Sequence, residues 1–219
     1  MSSLTQVLEN ARGILFDMDG VLIDSEPIHE KAIVALTAEL GDPLTEHATL
    51  NSFKGAPERD MAERLRKLYP STTLTAEELV LRKIDLYAEL FKEVTLIPGA
   101  KDFVEQSYAK SRRHGLTTSA SRSTQQLTFE TFGFSRYFDA IVTGEDISRG
   151  KPDPQPYLLT ATKLGLDPQD CIVIEDSING VRSGNAAGCT VIALTTTFPV
   201  GALQAAGAHF IVDGFDEIS

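Results

Sequence analysis

Gly13-Ile14-Leu15-Phe16-Asp17-Met18-Asp19-Gly20 joins an unbroken apolar run to a carboxylate pair and a glycine. A short apolar run without alternation reads as a strand buried on both faces. The same pattern, apolar and β-branched residues ending in polar ones, recurs at 115–120 (GLTTSA), 140–144 (AIVTG), 171–176 (CIVIED), 190–194 (TVIAL) and 209–213 (HFIVD). Between the later runs, residues 125–131, 154–164, 178–187 and 200–206 carry helical spacing. Strands alternating with helices predict βαβ units, hence an α/β, Rossmann-like core: a parallel sheet with helices on both faces.

One segment breaks this rhythm. From about Glu26 to Glu93 there is no convincing strand, only amphipathic helical patterns such as IHEKAIVALTAEL, RDMAERLRKLY and AEELVLRKIDLYAELF. The insertion closes near Ile97-Pro98-Gly99, a turn signal before a helix at about 102–110. The expected organisation is a Rossmann-like core of residues 1–24 and 95–219 and an inserted α-helical cap domain of residues 25–94, shaped as a lid over a site.

Composition agrees. With 219 residues, the chain allows one large domain or a domain with an insertion. Its 42% hydrophobic and 23% charged residues exclude disordered and disulfide-scaffold classes. A net charge of -11 repels nucleic acid and anionic membranes, so a phosphate-bearing substrate would need locally placed cations or a metal. Cys171 and Cys189 fall in apolar runs, outside any CxxC or Cys/His spacing, which predicts buried structural thiols in a reducing compartment. MSSLTQVLENARG has no basic segment with an apolar stretch behind it, and no run approaches ~18 uncharged apolar residues. A cytoplasmic monomer is expected, with no nucleic-acid or membrane partner.

Four stretches carry chemistry. At the end of the first strand, Asp17 and Asp19 can face one pocket while Gly20 turns the chain away; such a pair can divide the work of nucleophile or metal ligand and proton carrier, although capping aspartates would read the same. An EF-hand is excluded, because counting from Asp17 the glycine falls at position 4 and Ile28 at position 12. In Thr118-Ser119-Ala120-Ser121-Arg122 a strand runs into a helix, where hydroxyls and backbone N–H groups make an anion site or ordinary caps. Gly150-Lys151-Pro152-Asp153-Pro154 is no P-loop, since Pro152 stands where Ser or Thr is required. It pins one lysine before a helix, as a fixed cation or a solvated one. Glu175 and Asp176 end the apolar CIVI run, and Asp176 opposite Asp17 would suffice for a hard cation such as Mg2+. The glycines that follow, Gly180, Gly184 and Gly188, are expected to let a helix approach the sheet.

All four stretches fall at the carboxyl ends of predicted parallel strands, the edge where open α/β sheets bind ligands. Together they supply the parts for magnesium-assisted phosphoryl transfer. DMDGVLIDSEP, TSASR, GKPDP and IEDSINGVRSG, in that order, resemble the four motifs of the haloacid dehalogenase superfamily, and within it the β-phosphoglucomutase-like phosphatases with a helical cap. The resemblance covers almost the whole chain. It implies Asp17 as nucleophile, Asp19 as general acid and base, and Ser119 and Lys151 as phosphate clamp, with Ala120 and Arg122 beside them. It also implies Mg2+ held by Asp17, the Asp19 carbonyl and Asp176, with Glu175 supporting the metal site. Dehalogenases of the superfamily lack the second aspartate, so Asp19 speaks against carbon-halogen chemistry. Substrate choice is expected in the cap, at Lys54 and Arg59 in FKGAPERD.

The expected function is a Mg2+-dependent phosphatase of a small phosphorylated metabolite, most of all a sugar phosphate. A phosphosugar mutase is the alternative, and a catalytically silent binding protein the third. The mutase pattern has a cap lysine that interacts with the hinge; counted without gaps, neither Lys83 nor Lys92 sits at its distance. His29 is expected to face solvent.

Overall fold

The computed structural model describes residues 3–56, 58–110 and 112–218. The chain divides into two compact units, Met1–Asp24 with Leu96–Ser219, and Ser25–Thr95. In chain order the strands are β1 (Gly13–Phe16), the two-residue β2 (Ile23–Asp24) and β3 (Thr95–Leu96), β4 (Arg113–Thr117), β5 (Ala140–Val142), β6 (Cys171–Glu175), β7 (Thr190–Leu194) and β8 (Phe210–Val212). Six of them form one sheet in the order β5-β4-β1-β6-β7-β8, with every pairing parallel. The direction of progression reverses at β1, and such a switch point opens a crevice at the carboxyl ends of the strands.

The helices of this unit are α1 (Leu4–Asn10), α6 (Ala100–Ala109), α7 (Arg122–Phe132), α8 (Gln155–Leu164), α9 (Ile178–Ala186) and α10 (Val200–Ala206). They explain why β1 is apolar throughout. Phe16 meets Phe103 of α6 and Phe138 edge-on, with ring centroids 6.1 and 5.6 Å apart. Leu15 packs in a cluster with Tyr157, Ala161 and Leu164 of α8. Each such side chain, fully buried, stabilises the fold by roughly 1.5–3 kcal/mol. The three glycines expected to serve close packing do different things. A Cβ on Gly184 would come within 2.9 Å of Val191 and 3.2 Å of Val173, so this one does seat α9 against β6 and β7. Gly188 lies beyond the end of α9 with φ +85° and faces open space. Gly180 belongs to the site described below.

The second unit contains α2 (Glu26–Glu39), α3 (His47–Asn51), α4 (Glu58–Leu68) and α5 (Ala76–Leu90). Leu36, Ala62, Leu65 and Leu79 are fully buried in it. Thr75 and Glu78 cap α5 reciprocally. Pro57 of FKGAPERD lies outside the described residues. Both cysteines are buried and unpaired, and burial pushes their thiols up, to about 11 for Cys171 and about 12 for Cys189. Among the described residues no helix is long and apolar enough to cross a membrane.

Candidate active site

The core unit brings Asp17, Asp19, Lys151, Glu175 and Asp176 to the carboxyl edge of β1 and β6. Asp17 continues the β1–β6 ladder, its amide donating to the Ile174 carbonyl at 3.0 Å, so the sheet itself aims its side chain. The chain then closes a tight turn in which the Leu22 amide donates to the Met18 carbonyl and the Gly20 amide to the Ile23 carbonyl, both at 2.8 Å. Gly20 has φ +73°, and a Cβ there would run into the Asp176 carboxylate, so only glycine lets this turn lie against Asp176.

Lys151 links the parts. Its ammonium donates to Asp17 Oδ1 at 2.6 Å, to Glu175 Oε1 at 2.6 Å and to the Thr117 carbonyl at 2.9 Å, which uses all three protons. Its side chain is 7% exposed, so this cation is not the solvated surface lysine that the sequence also allowed. Glu175 is fully buried. Its Oε1 also accepts from the Tyr157 hydroxyl at 2.8 Å, while Oε2 accepts from the amides of Asp176 and Ser177 and from Ser177 Oγ. Gly180 in α9 faces this carboxylate, and a Cβ there would overlap it.

The electrostatics follow from one ammonium among several buried acids. Burial, helped by Glu175 and Asp19 and opposed by Lys151, pushes Asp17 up to about 7. Burial works against Lys151 too, but Asp17 and Glu175 outweigh it and hold the ammonium above its ordinary value. Glu175 is held below its ordinary value despite burial, because Lys151, Ser177 and Tyr157 all donate to it or attract it. Asp17, Glu175 and Asp176 each offer a carboxylate oxygen within 4.8 Å of the others. Hard oxygen donors and an excess of buried negative charge fit a divalent cation of the Mg2+ type. Both Glu175 oxygens already accept hydrogen bonds, which makes that carboxylate the less available to an ion.

The remaining residues singled out in the sequence are placed as follows. Ser119 is exposed just beyond β4. The Ala120 amide donates to Thr118 Oγ1 at 3.0 Å, and Ser121 caps α7 by accepting from the Thr124 amide at 3.2 Å. Arg122 does not join Lys151; its guanidinium donates to Asp146 at 2.7 Å and pairs with Glu145 at 3.7 Å. It ties α7 to the turn after β5. Lys54 and Arg59 lie in the helical unit, Lys54 half-buried and Arg59 exposed.

In that unit the structure corrects two expectations. Lys83 is buried, its ammonium hydrogen-bonded to His29 Nδ1 at 2.7 Å and paired with Glu58. His29 does not simply face solvent, since it stacks on Tyr87 with centroids 4.4 Å apart. Gap-free counting along the chain does not foresee this buried lysine, because spacing along a chain with variable turns does not decide which side chains meet. Position on the helix does. Leu79, Lys83, Leu86 and Tyr87 follow i, i+4, i+7, i+8 spacing and are all buried, so Lys83 sits on the inward face of α5.

With this geometry in view, comparisons with known proteins are direct. The family model for haloacid dehalogenase-like hydrolases matches residues 14–194. The chain belongs to that family. It is 32% identical to the phosphorylated carbohydrates phosphatase of Thermotoga maritima over 80% of this chain and 81% of that protein. Hexitol phosphatase B of Escherichia coli is 31% identical over 85% of this chain and 83% of its own length. Among solved structures, a HAD hydrolase of family IA, variant 3, from Entamoeba histolytica superposes with a TM-score of 0.85 at 26% identity, covering 95% of both chains.

Proposed function

We propose that this chain is a Mg2+-dependent phosphatase that hydrolyses a small phosphorylated carbohydrate through an aspartyl phosphate on Asp17. The observation that carries it is the 2.6 Å contact between the Lys151 ammonium and the Asp17 carboxylate, with both side chains largely withdrawn from solvent. One anion can attack another only where positive charge is fixed beside both. The similar phosphatases of phosphorylated carbohydrates and hexitols support the substrate class.

In this mechanism an Asp17 oxygen attacks phosphorus in line with the leaving alcohol, which Asp19 protonates. Asp19, then ionised, accepts a proton from the water that hydrolyses the acyl phosphate. Such general acid-base help contributes ~10² to 10⁴-fold. Lys151 neutralises the incoming carboxylate and the phosphoryl oxygens, and the Ser119 hydroxyl orients the latter. Asp17, Asp176 and the Asp19 carbonyl would hold Mg2+, with Glu175 behind them; when bound, the ion supplies Lewis-acid charge neutralisation at the phosphoryl group. Lys54 and Arg59 are assigned to substrate choice. A reducing, cytoplasmic setting goes with two buried, unpaired thiols.

The Lys83–His29 contact favours a second reading, transfer of the phosphoryl group back to a sugar as in β-phosphoglucomutase. A panel of phosphorylated carbohydrates, scored for free phosphate and for isomerised sugar, separates the two. Phosphate release dependent on added Mg2+ and lost by at least ~10³-fold in Asp17→Asn is the expected result. Isomerisation faster than phosphate release would replace phosphatase by mutase, and unchanged turnover in Asp17→Asn would overturn both.

A further inference from the structure

We infer that Tyr157 is a positioning residue, whose hydroxyl fixes Glu175 so that Glu175 fixes Lys151 against Asp17. The inference rests on the phosphatase reading above and assigns a task to a residue outside its four motifs. Tyr157 stands in the first turn of α8, with none of its surface exposed. A phenylalanine would fill that space without burying a hydroxyl. The hydroxyl instead donates to Glu175 Oε1 at 2.8 Å, the oxygen that also accepts from Lys151 at 2.6 Å. Oε1 thus takes one hydrogen bond from each of these two donors. The other oxygen is held by the Asp176 amide at 3.1 Å, the Ser177 amide at 3.0 Å and Ser177 Oγ at 2.9 Å. Glu175 is thereby clamped at both ends. The tyrosine ring adds a second restraint, since the Lys151 ammonium lies 5.0 Å from its centroid, within cation–π range.

Without the hydroxyl, a buried carboxylate lone pair is left without its donor. The nearest mobile donor is Lys151, so the ammonium is drawn towards Glu175 and away from Asp17. Misplacing a group in a preorganised site by about 1 Å can cost ~10²-fold in rate. Tyr157→Phe keeps the ring and its cation–π contact, and removes only the hydroxyl.

The test is a double-mutant cycle on kcat/KM with a generic phosphate monoester and Mg2+, using wild type, Tyr157→Phe, Lys151→Arg and the double variant. Tyr157→Phe is expected to lower kcat/KM by ~10-fold in the wild-type background and by less than ~2-fold beside Lys151→Arg. In the metal-free protein the nitrogen resonance of the Lys151 ammonium is expected to shift in Tyr157→Phe. Equal losses in both backgrounds, the result of mere unfolding or repacking, would overturn the inference, as would no loss in the first or an unmoved resonance. The Asp17→Asn control keeps the two ideas apart. If it abolishes turnover while the cycle is additive, the phosphatase reading stands and only the role of Tyr157 falls.

Discussion

Gly180 lies against the Glu175 carboxylate so closely that a Cβ on it would overlap the carboxylate atoms. Because Glu175 is locked by hydrogen bonds at both oxygens, it cannot swing aside without releasing Lys151. Gly180→Ala is therefore expected to destabilise the protein by about 1–3 kcal/mol, the usual cost of overpacking, and to lower turnover by more than ~10-fold. Gly184→Ala presses on Val173 and Val191 and should cost stability with turnover per folded molecule unchanged. Urea unfolding beside kcat distinguishes the pair; equal kcat for both variants would show that Gly180 serves packing alone.

Lys151 is the cation between two buried acids, so its removal should be felt in folding as well as in catalysis. Lys151→Met keeps the length and apolar stem but leaves Asp17 and Glu175 uncompensated, a change that typically costs about 3–5 kcal/mol. The sign of its pH dependence follows. Asp17 already stands above its unfolded value; without the ammonium it rises further and Glu175 is no longer held down, which favours the folded variant at low pH and penalises it as pH rises. The deficit against wild type should be larger at pH 8 than at pH 5.5 in urea titrations. A deficit independent of pH would mean that the two acids do not share this cation in solution.

Much of this is legible in the sequence. Unbroken apolar runs such as CIVIE have one buried solution, a strand covered on both faces, and the polar residue ending each run marks its functional edge. Asp17 taken alone reads equally as a capping aspartate, whereas Glu175 and Asp176 at the end of a buried strand are harder to explain as filler. What could not be read depends on distances between elements. Tyr157 looks like any aromatic on an amphipathic helix, and only the register of α8 against β6 turns its hydroxyl onto Glu175. Gly180, Gly184 and Gly188 are evenly spaced, yet one faces a carboxylate, one faces two valines and one faces open space. Arg122 follows the hydroxyl loop closely in sequence, but acidic partners at Glu145 and Asp146 take its guanidinium. Local charge complementarity decided that side chain, and no motif records it.

The Lys83 cluster makes a prediction of opposite character. Glu58 pairs with Lys83, whose side chain is 5% exposed whereas that of Glu58 is 39% exposed. Removing the acid alone leaves a buried ammonium with less compensation, and removing the ammonium alone leaves an acid that can reach water. Glu58→Gln should therefore destabilise by about 1–2 kcal/mol, discounted for the exposure of the acid, and Lys83→Met by less than ~1 kcal/mol. The double variant should resemble Lys83→Met. Thermal melts of the four proteins check this; a larger loss in Lys83→Met than in Glu58→Gln would reverse the assignment of which partner needs the other.

His114 supplies the acid limit of the core. It lies in β4 with no exposed surface, its ring 5.2 Å from Phe16 and 5.9 Å from Phe138 and its Nε2 3.0 Å from Ser107 Oγ. Burial pushes its pKa down, from 6.5 to about 4. The folded state thus holds the neutral ring while the unfolded chain takes up a proton near pH 6.5. The resulting stability is fully present above that pH and is lost as pH falls towards 4. From the shift, the loss between pH 7 and pH 4.5 is ~2 to 3 kcal/mol from this group alone. Carboxylates titrate over part of the same range, so the comparison must be with a variant that lacks only the imidazole. His114→Phe suits the aromatic surroundings, and Ser107 Oγ keeps its bond to the Phe103 carbonyl at 2.7 Å. Urea unfolding of both proteins at pH 7 and pH 4.5 should show the variant losing ~2 kcal/mol less than wild type. Parallel losses would mean that the ring is protonated within the folded core, and that its neighbours tolerate a charge their apolar character argues against.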